Sequence, residues 1–183
     1  MEISKKEKDI LLSAARNTIE ALFHDTNADP PDYEKYPILA SRSGAFVTIT
    51  IDGNLRGCIG YIIGDKPLFD TIRDAATSAA MSDPRFPQLS ESELDKIQIE
   101  VSILSEPFPL DSYDDIELGK HGLILEEGGR RGLLLPQVPI EHNMDRDEYL
   151  SAICNKAGLP PHYWRQNELK LDAFTATVFS EEK

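Results

Sequence analysis

Ala45-Phe46-Val47-Thr48-Ile49-Thr50-Ile51, then Asp52-Gly53-Asn54, then Leu55-Arg56-Gly57-Cys58-Ile59-Gly60 is the stretch from which the fold can be read. The first seven residues are β-branched or apolar and mark a strand. Asp52-Gly53-Asn54 supplies the turn, so a second strand over Leu55–Ile62 returns beside the first as a hairpin with a short Gly-containing loop. On simple alternation Arg56 and Cys58 leave one face, while Leu55, Ile59 and Tyr61 leave the other. The glycines at 57 and 60 leave backbone uncovered, which admits a neighbouring chain or a ligand.

Outward from this hairpin the elements mix without a regular strand–helix–strand alternation. Ser4 and Glu7 form a capping box ahead of a helix from about Lys5 to Phe23, whose apolar positions run from Ile10 to Leu22. The prolines between Asp25 and Pro37 predict an irregular crossing. Asp65 is placed to cap a second helix, with Pro67 in its first turn and Met81 near its end. Ser90 and Glu93 make another capping box. Ile97, Ile99, Val101 and Ile103 alternate with Gln98, Glu100, Ser102 and Leu104 in the clearest strand of the chain, antiparallel by its one-sided pattern. Pro107 and Pro109 open an irregular acidic region up to Leu118. His121–Glu126 and Arg131–Leu135 read as a second hairpin around Gly128-Gly129. Asp145 and Glu148 cap a helix closed by Gly158. Pro160, Pro161 and Trp164 read as loop, and Leu169–Phe179 as one last strand. The fold class is therefore α+β: a mainly antiparallel sheet flanked by helices, in one domain over residues 1–183.

Composition bounds the function. The 183 residues carry 32 acidic against 19 basic side chains, for a net charge of −13. Such a balance argues against general nucleic-acid binding and against docking on anionic lipid, though it leaves room for a local basic pocket. Two cysteines, Cys58 and Cys154, stand far apart without metal-ligand spacing, which points to a reducing compartment. The N-terminus lacks an apolar signal core, and no run approaches the ~18 apolar residues of a membrane span. The expectation is a cytoplasmic, soluble protein.

Three stretches carry candidate chemistry. Arg56 beside Cys58 pairs a guanidinium with a thiol, suited to an activated nucleophile or to an anion clamp; the plainer alternative is a packed cysteine. Asp83-Pro84-Arg85-Phe86-Pro87 sets an acid, a base and a ring on rigid backbone just after a helix. Its alternative is a braced helix stop. Gln137 follows the apolar Leu133–Leu135 run. His142 lies near acids, but neither it nor His121 has the spacing of a metal site, so no metal is expected and no cofactor is indicated. Nucleophile-elbow, P-loop and dinucleotide-binding patterns are missing from the sequence.

Leu55-Arg56-Gly57-Cys58-Ile59-Gly60, Asp83-Pro84-Arg85-Phe86, Leu133-Leu134-Leu135-Pro136-Gln137-Val138 and Lys156-Ala157-Gly158-Leu159 occur together in the order found in the AMMECR family. The chain resembles that family from about Ala45 to Phe179. Prokaryotic members are called protein A of the AmmeMemoRadiSam system. The resemblance implies a main body built from both termini, a smaller inserted lobe, and a cleft between them near the six-residue motif. It also implies a pathway shared with Memo-like and radical SAM proteins, without fixing a reaction. Asn143-Met144 departs from the tryptophan-containing segment of many relatives. Two readings follow. In one, an enzyme or binding protein takes a small anionic or nucleotide-like ligand, with Cys58 as nucleophile and Arg56, Gly57, Gly60, Asp83, Arg85, Gln137 and His142, with Arg73 as a further basic candidate, around it. In the other, the motif is structural and the protein is a non-catalytic adaptor.

Overall fold

The computed structural model describes residues 3–25 and 30–182. Its helices are α1 (Lys5–Glu20), α2 (Leu68–Met81), α3 (Val138–Glu141), α4 (Arg146–Lys156) and α5 (Tyr163–Gln166). Its strands are β1 (Ala45–Ile51), β2 (Asn54–Tyr61), β3 (Ile97–Leu104), β4 (Phe108–Pro109), β5 (Gly122–Glu127), β6 (Arg130–Leu134), β7 (Leu171–Phe174) and β8 (Ala176–Ser180). They form two four-stranded sheets, ordered β2-β1-β3-β8 and β4-β7-β5-β6. The α+β class expected from the sequence is present, with its antiparallel pairing shared between two sheets. Two compact units result: Met1–Leu104 with Thr177–Lys183, and Ser105–Ala176. Among the described residues no helix is long and apolar enough to cross a membrane.

In the first unit, Ala45, Val47 and Ile49 of β1 and Ile99 and Val101 of β3 are fully buried. Against them lie Leu11, Ala15 and Ile19 of α1 and Ile72, Ala75 and Ala76 of α2. Each large aliphatic side chain removed from water here contributes about 1.5–3 kcal/mol. Helix α1 starts in the expected capping box of Ser4 and Glu7, and ends at Glu20 rather than near Phe23. Helix α2 departs from expectation at its start. Asp65 does not cap it; Pro67 holds the N-cap position with no side-chain bond, and the Leu68 N–H goes to the Ser41 carbonyl at 2.8 Å. A tertiary acceptor has taken the place of a local cap. The crossing expected between Asp25 and Pro37 includes residues 26–29, which lie outside those described. It is followed by a 3-10 turn at Pro37–Ala40.

The second unit repeats the hairpin device. Gly128 and Gly129 both have positive φ, 55° and 78°, in a two-residue loop between β5 and β6. Asp145 and Glu148 cap α4 reciprocally. Gly158, at φ 74°, ends it: its N–H meets the Asn155 carbonyl and the Leu159 N–H meets that of Cys154, a Schellman closure. Tyr149 is fully buried among Leu123, Leu125, Leu150, Ile153 and Leu171.

Three expectations need correction in this part of the chain. The acidic region after Pro107 contains β4 and a 3-10 turn at Tyr113–Asp115, capped by Ser112. Trp164 sits in α5 rather than a loop, its Nε1 donating to Ser151 Oγ at 3.0 Å. The last strand is two strands in different sheets, broken at Thr175, whose N–H and carbonyl both bond Ser105.

Candidate functional site

The geometry of the six-residue motif follows from one irregularity in the β1–β2 ladder. Asp52 and Gly53, at φ 52° and 79°, make the two-residue loop, with Ile51 opposite Asn54 and Thr50 opposite Leu55. The next pair is Ile49 with Gly57, so Arg56 is an inserted residue with no partner on β1. A bulge of this kind re-aims every side chain beyond it. Without it Cys58 would stand opposite Val47, on the helix-covered face; with it Cys58 stands opposite Thr48, on the other face. Leu55 shares that face through its pairing with Thr50, so the expected grouping of Leu55 with Ile59 and Tyr61 does not hold.

Each motif residue is then placed by a specific partner. Arg56, only 13% exposed, donates Nε to Glu93 Oε1 at 2.7 Å and Nη2 to Glu93 Oε2 at 3.1 Å. Its Nη1 and Nη2 also reach the carbonyls of Pro87 and Gln88, at 2.9 and 3.3 Å. The guanidinium thus pins the segment after α2 onto β2. It holds the Glu93 carboxyl down to about 2; burial opposes this, and the Ser90 N–H and hydroxyl assist it. Gly57 is required by α2: a Cβ there would lie 2.2 Å from the Ala79 carbonyl oxygen. Gly60 is required by Phe46, whose ring would meet a Cβ at 2.4 Å. The backbone left bare by these glycines is occupied from within the chain.

Cys58 is different. Its Sγ accepts a hydrogen bond from Thr48 Oγ1 at 3.2 Å, and the residue is half-buried. Strand β2 is an edge strand, so the Cys58 N–H and carbonyl point away from β1. Asp83 Oδ2 accepts the N–H at 2.9 Å, and Arg85 Nη2 donates to the carbonyl at 3.3 Å. Asp83 and Arg85 are themselves joined by Nε and Nη2 bonds of 3.0 and 2.8 Å. This side-chain pair stands where another strand would pair, which closes the edge locally. Asp83, with a side chain 2% exposed, is held well below the usual carboxylate range, chiefly by the Arg85 side chain and against the effect of burial. Arg85 is 54% exposed and its guanidinium lies 5.5 Å over the Phe86 ring.

The remaining candidates lie elsewhere. Arg73 bonds Thr18 on α1 at 3.3 Å and joins the two helices. Gln137 and His142 belong to the second unit, at the N-cap and C-cap positions of α3. In that unit His121 is buried, its Nδ1 accepting the Glu117 N–H at 3.2 Å. Asn143 has a positive φ of 49°, a conformation asparagine tolerates, and Met144 packs on the second core. Among the described residues no group of three or more His, Cys, Asp or Glu side chains is placed to hold a metal ion. Sequence reasoning missed Glu93 as the partner of Arg56, although its capping box marked it. It also missed Thr48, because alternation along one strand assigns a face to Cys58 but names no partner across the ladder.

This chain is 43% identical over 177 residues to Protein Mbar_A1807 of Methanosarcina barkeri, a match covering 92% of this chain and 87% of the relative. Protein MK0488 of Methanopyrus kandleri is 42% identical over 193 residues, covering 100% and 92% of the two chains. Among solved structures, that of the uncharacterized protein PH0010 from Pyrococcus horikoshii superposes with a TM-score of 0.86 at 37% identity, over 100% of this chain and 95% of that one. The AMMECR1 family model matches residues 12–179, which takes in both units, the bulged hairpin and the Asp83–Arg85 edge closure, and the chain belongs to that family.

Proposed function

We propose that the face of β2 bearing Cys58, together with the exposed side of Arg85, binds a small anionic or nucleotide-like ligand, with the Cys58 thiol as its contact or nucleophile. The observation that carries this reading is a contrast within the motif. Arg56, Gly57 and Gly60 are each consumed by packing, while Cys58 is turned off the helix-covered face by a bulge and keeps partial solvent access beside a half-exposed guanidinium. An arginine that spends one edge on Asp83 retains donors for a phosphate or carboxylate. The pathway context is that of the AmmeMemoRadiSam system, in which Memo-like and radical SAM proteins act alongside this one.

The adaptor reading also has a specific support, since four bonds from Arg56 to Glu93, Pro87 and Gln88 give the motif a purely structural task. Amide chemical shifts on titration with AMP and with inorganic phosphate separate the two. The ligand reading predicts saturable shifts centred on Cys58 and Arg85, lost in Arg85→Gln. Unshifted amides there, with a Memo-like or radical SAM protein retained equally by wild type and Arg85→Gln, would favour the adaptor.

A further inference from the structure

The Asp83–Arg85 pair closes the β2 edge at Cys58 and goes no further. Backbone groups on a strand edge repeat every second residue, so the N–H and carbonyl of Gly60 point outward as those of Cys58 do. Among the described residues no bond from a loop, helix or further strand reaches either Gly60 group. Arg85 is also incompletely used. Its Nε and Nη2 serve Asp83 and its Nη2 the Cys58 carbonyl, while Nη1 has no partner among the described residues. The Gly60 N–H is the next group along the edge from that carbonyl, so a free amide stands beside a half-exposed guanidinium. Just past it Tyr61 and Ile63 are 41% and 65% exposed. One short stretch of edge thus offers a cation, a donor, an acceptor and apolar side chains.

We propose that this edge captures the C-terminal residue of an extended peptide. The inference rests on the ligand-site reading above and names the anion as an α-carboxylate. One carboxylate oxygen accepts the Gly60 N–H, the other accepts from Arg85 Nη1, and the N–H of the same residue donates to the Gly60 carbonyl. This is a hydrogen-bonded pair of an antiparallel ladder with a guanidinium at its end. Charge sets the direction: an antiparallel peptide brings its carboxylate to Arg85, whereas a parallel one would bring its ammonium. The Asp83–Arg85 pair sets the stop. It holds the place opposite Cys58, so a chain pairing with Gly60 has to end there. Asp83 does not repel the newcomer strongly, because its 2%-exposed carboxylate is neutralised by Arg85 and bonded by the Cys58 N–H. The last side chain of the peptide shares the face of Gly60, where the half-buried Phe46 ring lies, and the preceding one shares the face of Tyr61. Both positions therefore favour apolar residues, and the net charge of −13 disfavours acidic peptides.

Amide chemical shifts of the full chain test this with the peptide acetyl-Ala-Thr-Val-Val as the free acid, with its C-terminal amide, and with AMP. The free acid is expected to give saturable shifts at Gly60 and Arg85 and to slow hydrogen exchange at the Gly60 amide. The C-terminal amide, which lacks the charge, is expected to bind at least ~10-fold more weakly, and so is the free acid to Arg85→Gln. Ile63→Glu changes an exposed position, so folding is retained, which thermal unfolding checks. It is expected to weaken the free acid ~5-fold through like charge and lost apolar contact, and to leave the AMP shifts at Cys58 and Arg85 as they are in wild type. Equal binding of acid and amide, or no response of Gly60 to the acid while AMP still shifts Cys58 and Arg85, overturns the peptide inference and leaves the ligand-site reading standing. No response of Cys58, Gly60 or Arg85 to any of the three overturns both.

Discussion

Replacing Glu93 by Gln removes the charge that Arg56 is paired with and keeps the side-chain shape. At neutral pH the variant leaves a guanidinium that is 13% exposed with only the carbonyls of Pro87 and Gln88 and a weakened amide contact. The carboxyl itself gives a second route to the magnitude. Its ordinary value of 4.5 falls to about 2 in the folded protein, which sets a ceiling of about 3 kcal/mol. Glu93 is 23% exposed, so screening reduces this to about 2 kcal/mol. The sign follows from linkage: a carboxyl depressed on folding adds stability that is complete above pH 4.5 and drains away as pH falls toward 2. Urea unfolding between pH 7 and pH 2.5 tests both parts. Glu93→Gln should lose about 2 kcal/mol at pH 7, and its deficit against wild type should shrink steadily below pH 4.5. A loss under about 0.5 kcal/mol at pH 7, or a deficit independent of pH, would show that the Arg56 staple is not what holds the 87–93 segment.

The same reasoning extends to three other positions. Gly57→Ala should cost about 2–3 kcal/mol in urea unfolding, because the new methyl meets the backbone oxygen of Ala79, which no rotamer change can move. Asp83→Asn should cost about 3 kcal/mol at pH 7, since a buried carboxylate serving the Cys58 N–H and Arg85 is lost, and the deficit should fall away as the wild-type carboxyl is protonated in strong acid. In the second unit, Tyr149→Phe should cost about 1 kcal/mol by chemical denaturation, the Tyr149 hydroxyl lying 3.2 Å from both the His121 and Leu135 carbonyls.

Local chemistry made much of this fold legible. Asp52-Gly53-Asn54 and Gly128-Gly129 announce tight hairpin turns because few other residues accept positive φ, although the first loop is one residue shorter than the sequence suggests, Asn54 already belonging to β2. The boxes at Ser4, Ser90 and Asp145 and the alternation from Ile97 to Leu104 report short-range bonding and one-sided burial, both written in sequence. What escaped was decided at a distance. The bulge at Arg56 exists because Gly57 meets α2 while the guanidinium reaches Glu93, 37 residues on. Thr175 breaks the last strand through Ser105, and Leu68 finds its acceptor in Ser41. The site shared this fate. The motif marked the right strand, yet alternation alone placed Leu55 on the wrong face and left out Thr48 and Glu93.

The central claim is that the bulge turns Cys58 onto an open face, where its thiol is available to a ligand. Competitive labelling of the native protein with iodoacetamide, resolved by peptide mass spectrometry, tests this most directly. Cys154, fully buried in the second core, serves as the internal reference. The account predicts that Cys58 is modified in the folded protein while Cys154 stays protected until unfolding. Equal protection of both thiols up to the unfolding transition would contradict it.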